Sequence, residues 1–518
     1  MIRYLKPLAA LMAIATFWGT GGSYAVEGGT GEQRPKTAET ALPKPPISTD
    51  HKISINNRIL RYTATAGSMI VKDQASKVKG RFFFVAYTLD GASPAKRPIS
   101  FAFNGGPGAA SAFLHLGALG PKRMVLNDDG TAPRPPAQLT ENKFTWLAFT
   151  DLVFIDPIGT GYSRNASGKK EDNKVFWGVK QDAVSIAEFI RLYLTRYSRW
   201  LSPKLLVGES YGGIRSATLA HLLQRPDFGI DLNGLVLISP VLEYALTQPG
   251  DFNLLPWVIL LPTYSATAIH HHLSTLRPPG DENLERALAQ VETFATNKYL
   301  TYLFRGDSLN ESERATLQKT FAGYTGLSVS LVTRNKARIP SYTFTRELLR
   351  NQGLILGAYD TSVTGVDPDP GSPFVANADP TLNGLSWPFV STFNAYVRDE
   401  LGYDTDVPYI LVNDQLVESW DWHTGIGSSQ GFVTTAGGLK LAMTVNPNLK
   451  VFVGHGYFDL VTPYFGTQYV IDQLALPKSL RANITIKRYR AGHMIYTHRE
   501  AREQLYRDVR KFYAEAVP

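Results

Sequence analysis

No cysteine occurs anywhere in the 518 residues. That single absence excludes disulfides, a thiol nucleophile, Cys-ligated zinc and lipoprotein acylation. Runs of like charge are missing as well. The 53 basic residues outnumber the 45 acidic ones, but they are scattered singly, so the net charge of +8 does not amount to a nucleic-acid-binding surface. No internal repeat of about 20 to 50 residues is visible. Beyond the N-terminal segment there is no apolar run of about 18 residues that could cross a bilayer. With 44% hydrophobic and 19% charged residues, the chain has enough apolar surface for a large core, which argues against wholesale disorder.

The N-terminal segment carries an export pattern. Arg3 and Lys6 give a basic start, Leu8 to Trp18 a short apolar run, and Ser23-Tyr24-Ala25 a small-x-small site before Val26. Residues 1–25 are expected to be a secretory signal peptide, too short in its apolar part to span a membrane. Residues 26–50, rich in glycine and proline, read as a flexible tether. The mature protein is then expected to be exported, periplasmic or extracellular, with no stable membrane insertion.

From His51 onward two alternating stretches, Lys52 to Ala64 and Arg81 to Tyr87, predict an antiparallel opening to a sheet. Short apolar runs follow at Ile99–Phe103, Leu152–Ile155, Leu205–Val207, Leu235–Ile238, Val451–Val453 and Ile484–Tyr489. Helical periodicity marks Val175–Tyr197, Ile214–Leu223 and Glu500–Ala514. This alternation predicts an α/β architecture, a mixed, mainly parallel sheet with helices on both faces. The pattern breaks down between Ser239 and about Trp387. That stretch holds an amphipathic section from Asn283 to Leu303, the run His270-His271-His272, and a Pro/Gly/Asp-rich loop from Gly365 to Gly371. It reads as an inserted, mostly helical lid over residues 245–387. The catalytic domain would comprise residues 51–244 and 388–518.

The sharpest chemical signal is Leu205-Leu206-Val207 running into Gly208-Glu209-Ser210-Tyr211-Gly212. A buried strand leading through Gly-x-Ser-x-Gly into a helix lifts a serine hydroxyl out of a strained turn. With 44 glycines the five-residue pattern alone is cheap, and it recurs at Gly427-Ser428-Ser429-Gln430-Gly431. That copy follows no apolar strand, so Ser429 reads as a loop residue.

A nucleophilic serine needs two backbone donors for the developing oxyanion. One is the amide of the next residue, Tyr211. The other belongs in a glycine-rich loop after an earlier strand, and Asn104-Gly105-Gly106-Pro107-Gly108 follows Phe101-Ala102-Phe103. The base and its orienting acid should come later, in the order serine, acid, histidine. His493 directly follows the last strand, and Asp459 follows the strand ending at Val453. Asp156 precedes the serine and is disfavoured by chain order. His455 lies too near the acid's own strand, His498 reads as a solvated first-turn residue, and His270 to His272 as a surface feature, not a metal site.

These blocks together resemble the serine carboxypeptidase family of α/β-hydrolases. Asn104-Gly105-Gly106-Pro107-Gly108, Gly208-Glu209-Ser210-Tyr211-Gly212 and Gly492-His493-Met494 match its three signatures, and Asp156-Pro157-Ile158-Gly159-Thr160-Gly161-Tyr162-Ser163 is similar to its segment before the nucleophile. The similarity covers about residues 80–245 and 385–515. The resemblance implies an α/β-hydrolase fold and cleavage of C-terminal peptide bonds through an acyl-enzyme, with no cofactor and no metal. It implies Ser210 as nucleophile, His493 as base, Asp459 as its partner, and Gly106 with Tyr211 as oxyanion donors. Asn104, Gly105 and Glu209 would bind the terminal carboxylate of a peptide substrate with a free C-terminus.

The chain also departs from the family. Ala118 stands where a second glutamate would share a proton with Glu209, so the like-charge neighbour that raises such a group is absent, and a weaker preference for acid pH, or a changed role for Glu209, is expected. Ala109 replaces a usual cysteine, and Tyr496 a usual proline. Two other functions remain open on the sequence: a serine esterase or acyltransferase on the same scaffold, favoured by Ala118, and a triad-bearing binding protein without turnover.

Overall fold

The computed structural model describes residues 45–73, 75–277, 283–372, 379–423 and 433–517. The expected signal peptide, nearly all of the expected tether and Ser429 lie outside the described residues.

One large sheet organises the chain. Its strands are β1 (Ile47–Ile55), β2 (Arg58–Lys72), β3 (Val78–Leu89), β4 (Ile99–Phe103), β5 (Asp151–Ile155), β6 (Lys204–Glu209), β7 (Gly234–Ile238), β8 (Lys450–Gly456) and β9 (Ile484–Tyr489). They lie in the order β1-β2-β3-β5-β4-β6-β7-β8-β9, and a two-residue strand, Arg164–Asn165, pairs with β3. The first three strands and the β3–β5 junction are antiparallel. From β5 through β4, β6, β7 and β8 to β9 every pairing is parallel.

The pleat explains why β4 to β8 read as short apolar runs with no polar alternation. Phe101, Val153, Leu206, Leu237 and Val453 enter a core on one face, beside helices α1 (Val179–Arg196) and α2 (Gly212–Leu223). Ala102, Phe154, Val207, Val236 and Phe452 enter a second core on the other face, with Phe113, Phe389 and the C-terminal helix residues Leu505, Val509 and Phe512. Both faces are covered, so both sets of alternating residues are apolar.

Two expectations need correction at the N-terminal edge. The stretch Lys52 to Ala64 is not one strand: Asn56 and Asn57, at φ 48° and 61°, turn the chain between β1 and β2. Consecutive positive φ values suit a tight hairpin turn, which asparagine tolerates better than most residues. In addition, β1 begins at Ile47, inside the stretch 26–50 read as tether.

Between β7 and β8 the described chain is mainly helical. Trp257, Leu261, Tyr264, Val291, Tyr299, Phe321 and Phe344 share a core of their own, which Leu460 joins from the segment after β8. A small hairpin, Leu354–Leu356 with Thr364–Val366, leads back to helix Pro380–Ala395. Leu385, Phe389 and Phe393 of that helix pack against the main sheet's second core.

Candidate active site

The parallel strands end together, and the candidate residues sit at those ends. Ser210 follows β6 directly and begins the turn into α2, with φ at 61°. A non-glycine residue in this region is held there only by its surroundings. The surroundings are specific: the Ser210 amide donates to the Ile238 carbonyl at 3.0 Å, and its own carbonyl accepts from the amides of Gly213 and Val241 at 2.8 and 3.0 Å. Gly208 lets α2 start this close, because a Cβ there would lie 2.3 Å from the Gly212 carbonyl oxygen. Of the three expected triad side chains Ser210 is the most open, at 9% exposure against 2% for His493 and 0% for Asp459.

The loop after β4 closes on the same turn. A Cβ on Gly105 would stand 2.5 Å from the Tyr211 amide nitrogen, so only glycine permits this approach. Among the described residues neither the Gly106 nor the Tyr211 amide donates to another backbone group. Two amides free of backbone partners beside a serine hydroxyl are what an oxyanion site requires.

His493 follows β9 and Asp459 follows β8. His493 Nδ1 lies 2.8 Å from Asp459 Oδ2, with both side chains out of solvent. The other carboxylate oxygen accepts from the amides of Val461 and Thr462 at 2.8 and 2.9 Å. The Thr462 hydroxyl is 2.6 Å from Asp459 Oδ2 and 2.9 Å from the Ser239 carbonyl, and can donate to either. Burial opposes both charges of this pair and is the largest single influence on each. The mutual attraction and hydrogen bonding outweigh it, holding Asp459 below the usual carboxylate range and His493 above the usual imidazole value. The loop after β7 ties this half to the serine: the Ser239 hydroxyl donates to the His493 carbonyl at 2.8 Å, and its neighbours Ile238 and Val241 hold Ser210.

Glu209 stays perturbed even with Ala118 in place of a second carboxyl. The carboxyl is buried and is pushed up to about 7, chiefly by that burial; nearby Asp459 adds to it, while His493, Tyr496 and Asn104 oppose it. Loss of a neighbouring carboxyl therefore does not return Glu209 to an ordinary acid, because desolvation does not depend on that neighbour. Ala118 itself is buried in a π-helical turn, His115–Leu119, and its carbonyl accepts from Asn142 Nδ2 at 2.8 Å. The Asn104 side-chain oxygen accepts the Leu114 amide at 3.0 Å, which leaves its NH2 to face Glu209 and Tyr496.

Three histidine readings change. His498 is not a solvated first-turn residue: it stands at the N-cap position of the last helix (Arg499–Ala516), and its Nε2 lies 2.7 Å from Asp360 Oδ2, the oxygen that also accepts the Gly492 amide at 3.0 Å. His455 is buried without a partner among the described residues and is pushed down to about 3 by desolvation. The triple-His run is only partly a surface feature, since His271 Nε2 contacts the Thr361 carbonyl at 2.8 Å and His270 packs on Phe458. No group of three metal-ligating side chains occurs among the described residues.

Some supporting residues were not anticipated. Arg215 on α2 pairs with Asp182 on α1 at 2.7 Å, both side chains buried, and also donates to the Asn104 carbonyl. An arginine as the only Arg, Lys, Asp or Glu of this helix was the available signal. Tyr359 accepts the His493 amide at 2.6 Å and sets its ring edge-on to the imidazole. It lies between β7 and β8, where no motif pointed to it. Thr462 had no sequence signal beyond its place three residues after Asp459.

A mainly parallel sheet with Gly-x-Ser-x-Gly at a strand-to-helix turn, and an Asp–His pair beyond two later strands, defines an α/β-hydrolase. The family model described as serine carboxypeptidase matches residues 60–330, more than half of the chain. The chain belongs to the serine carboxypeptidase family. It is similar to serine carboxypeptidase-like 33 of Arabidopsis thaliana, 31% identical over 202 residues, which is 37% of this chain and 38% of that protein. It is also similar to the pheromone-processing carboxypeptidase KEX1 of Yarrowia lipolytica, 24% identical over 381 residues, 72% of this chain and 51% of that one. The chain thus spans about half or less of the length of these curated relatives. Among solved structures, proline iminopeptidase of Mycobacterium smegmatis is similar at 11% identity and TM-score 0.34, over 90% of this chain and 98% of that one.

Proposed function

We propose that the protein is an exported serine carboxypeptidase that removes residues from the C-terminus of peptides. The observation that carries this reading is the buried His493–Asp459 pair, tied through the Ser239 loop to the strained turn at Ser210. In the proposed mechanism His493 takes the Ser210 proton as the hydroxyl attacks the scissile carbonyl. Asp459 fixes the imidazole tautomer and stabilises the imidazolium. The amides of Gly106 and Tyr211 receive the oxyanion, the leaving amino acid takes the proton back from His493, and water repeats the sequence on the acyl-enzyme.

Substrate selection follows from Asn104, Gly105 and Glu209. A protonated Glu209 donates a hydrogen bond to the substrate's terminal carboxylate, which an ionised one would repel. Export rests on the pattern in residues 1–25, and nothing in the described helices is long and apolar enough to cross a membrane. N-terminal sequencing of the protein recovered outside the cytoplasm, beginning at Val26, is the check on that part.

One observation favours a second reading. Ala118 supplies no carboxyl to the subsite, which suits a serine esterase or acyltransferase with no interest in a free C-terminus. Comparing kcat/KM on an N-blocked dipeptide with that on its C-terminal amide separates the two. A carboxypeptidase prefers the free acid; equal rates would favour the second reading.

A further inference from the structure

Next to Glu209 lies a buried polar group to which no role has yet been given. Tyr496, in the turn after His493, is fully buried, and its hydroxyl has no well-aligned hydrogen-bond partner among the described residues; the same holds for Glu209 Oε2. The two nevertheless face each other, and the Tyr496 hydroxyl also faces the Asn104 side chain. The Tyr496 hydroxyl, the Glu209 carboxyl and the Asn104 side chain thus converge beside a reactive serine, with only loosely aligned hydrogen bonds among themselves, and such a buried polar cluster points to a ligand that completes its hydrogen bonding.

The position of the tyrosine is built in by its neighbours. A Cβ on Gly117 would stand 2.4 Å from Tyr496 Cε2 and 2.6 Å from Cδ2, so the ring lies against bare backbone there. The adjacent Ala118 adds only a methyl group. Gly117 therefore leaves the volume that the phenol ring fills, and the ring carries its hydroxyl towards Glu209 and Asn104.

Resting on the carboxypeptidase reading, we infer that Tyr496 is a further substrate-recognition residue, whose hydroxyl donates to the terminal carboxylate of the peptide alongside protonated Glu209 and the Asn104 amide. Three donors then converge on one carboxylate. The groups facing Glu209 are His493, Asp459, Tyr496 and, more remotely, Tyr359. Of the donors to the substrate, Glu209 loses its proton in the neutral range, whereas the phenol keeps its proton throughout it, because burial and the Glu209 charge both raise it. Tyr496 thus maintains recognition of the free acid at pH values where a carboxyl pair would repel it.

Tyr496→Phe removes the hydroxyl and keeps the ring against Gly117. The measurement is KM and kcat for an N-blocked dipeptide and for its C-terminal amide, at pH 5.5 and pH 7.5. A hydrogen bond to a charged group is worth roughly a 10- to 100-fold change in affinity. The expected result is a rise of that size in KM for the free acid, with the ratio of free acid to amide falling at least tenfold and the loss larger at pH 7.5. An equal loss on both substrates would mean that the tyrosine only supports the fold and would overturn the inference, as would no change on either. Gly117→Ala is the second route: it crowds the ring but leaves the hydroxyl in the chain, and the same selective loss is expected. The unsubstituted enzyme tests the underlying reading separately, since absence of any preference for the free acid there refutes carboxypeptidase action itself.

Discussion

Thr462 sets its hydroxyl 2.6 Å from Asp459 Oδ2, the same oxygen that meets His493 Nδ1 at 2.8 Å. The carboxylate is thus held by two backbone amides and a hydroxyl before it meets the imidazole, and it can only orient the ring, not follow it. Asp459→Asn keeps the shape but presents an NH2 to Nδ1 or reverses the tautomer. A loss in kcat of about 10,000-fold is expected on a blocked peptide, with KM little altered. Ser210→Ala should cost at least as much. If Asp459→Asn keeps activity within tenfold, Asp459 is not the partner of the base.

Glu209 and His493 impose opposite demands on pH. His493 must be neutral to act as base; its proton is held more tightly than usual, so activity rises with pH as that proton leaves. Glu209 must be protonated to bind a free carboxylate, and its value near 7 means that this form is lost as pH rises through neutrality. Free-acid substrates should therefore give a bell-shaped kcat/KM between pH 4 and 9, whose apparent values belong to the interacting pair and not to either residue. The C-terminal amide should show only the ascending limb. Glu209→Gln keeps a donor that does not ionise, so its alkaline limb should disappear with the free acid as well. An alkaline limb that persists in that variant would assign the descending ionisation elsewhere.

The legible parts of this chain were those in which one local pattern has one structural meaning. β4 to β8 are buried on both faces, so their apolar runs pointed to a covered parallel sheet, and the chain order of serine, acid and histidine singled out Asp459 and His493, which the fold sets 2.8 Å apart. The β1–β2 hairpin was missed because Lys52 to Ala64 looked like one alternating run, whereas the two-residue turn at Asn56-Asn57 shifts the inward positions from Ile53 and Ile55 to Tyr62 and Ala64 and leaves Ile59 exposed. Asp360 and Tyr359 were illegible for a different reason. They come from the stretch between β7 and β8 and act through a side-chain oxygen and a backbone carbonyl that reach His498 and His493 from more than a hundred residues away in sequence. The Glu209 environment was only half legible, because sequence shows a missing neighbour but not the depth of burial.

Arg215 binds three parts of the site at once. It pairs with Asp182, donates to the Asn104 carbonyl, and lies over the rings of Phe103 and Tyr211 at 5.2 and 5.1 Å. Arg215→Met leaves the Asp182 carboxylate buried and alone, and a loss of about 3–5 kcal/mol in unfolding free energy is expected by denaturant titration. Replacing Asp182 by Leu as well should recover much of that stability, because neither charge then remains buried. Catalysis should not recover in the double variant, since Asn104 still lacks its carbonyl partner. Full recovery of kcat/KM would show that Arg215 serves stability alone.

His498 gives the fold a titratable latch. Burial opposes its charged form, but the hydrogen bond and charge of Asp360, with Asp129 beyond, outweigh burial and raise it above the ordinary histidine value. A histidine that holds its proton more tightly folded than unfolded contributes stability that is complete below about pH 6.5, the unfolded value, and is lost as pH rises through the folded one. His498→Gln removes that contribution and keeps a neutral side chain of similar reach. The difference in denaturant midpoint between the unsubstituted protein and the variant should accordingly be greatest near pH 5 and shrink steadily towards pH 9. Because Asp360 Oδ2 also receives the Gly492 amide beside His493, the variant should lose some activity in the same pH range in which it loses stability. A midpoint difference that stays constant from pH 5 to 9 would mean that the His498–Asp360 contact is a neutral hydrogen bond with no charge behind it.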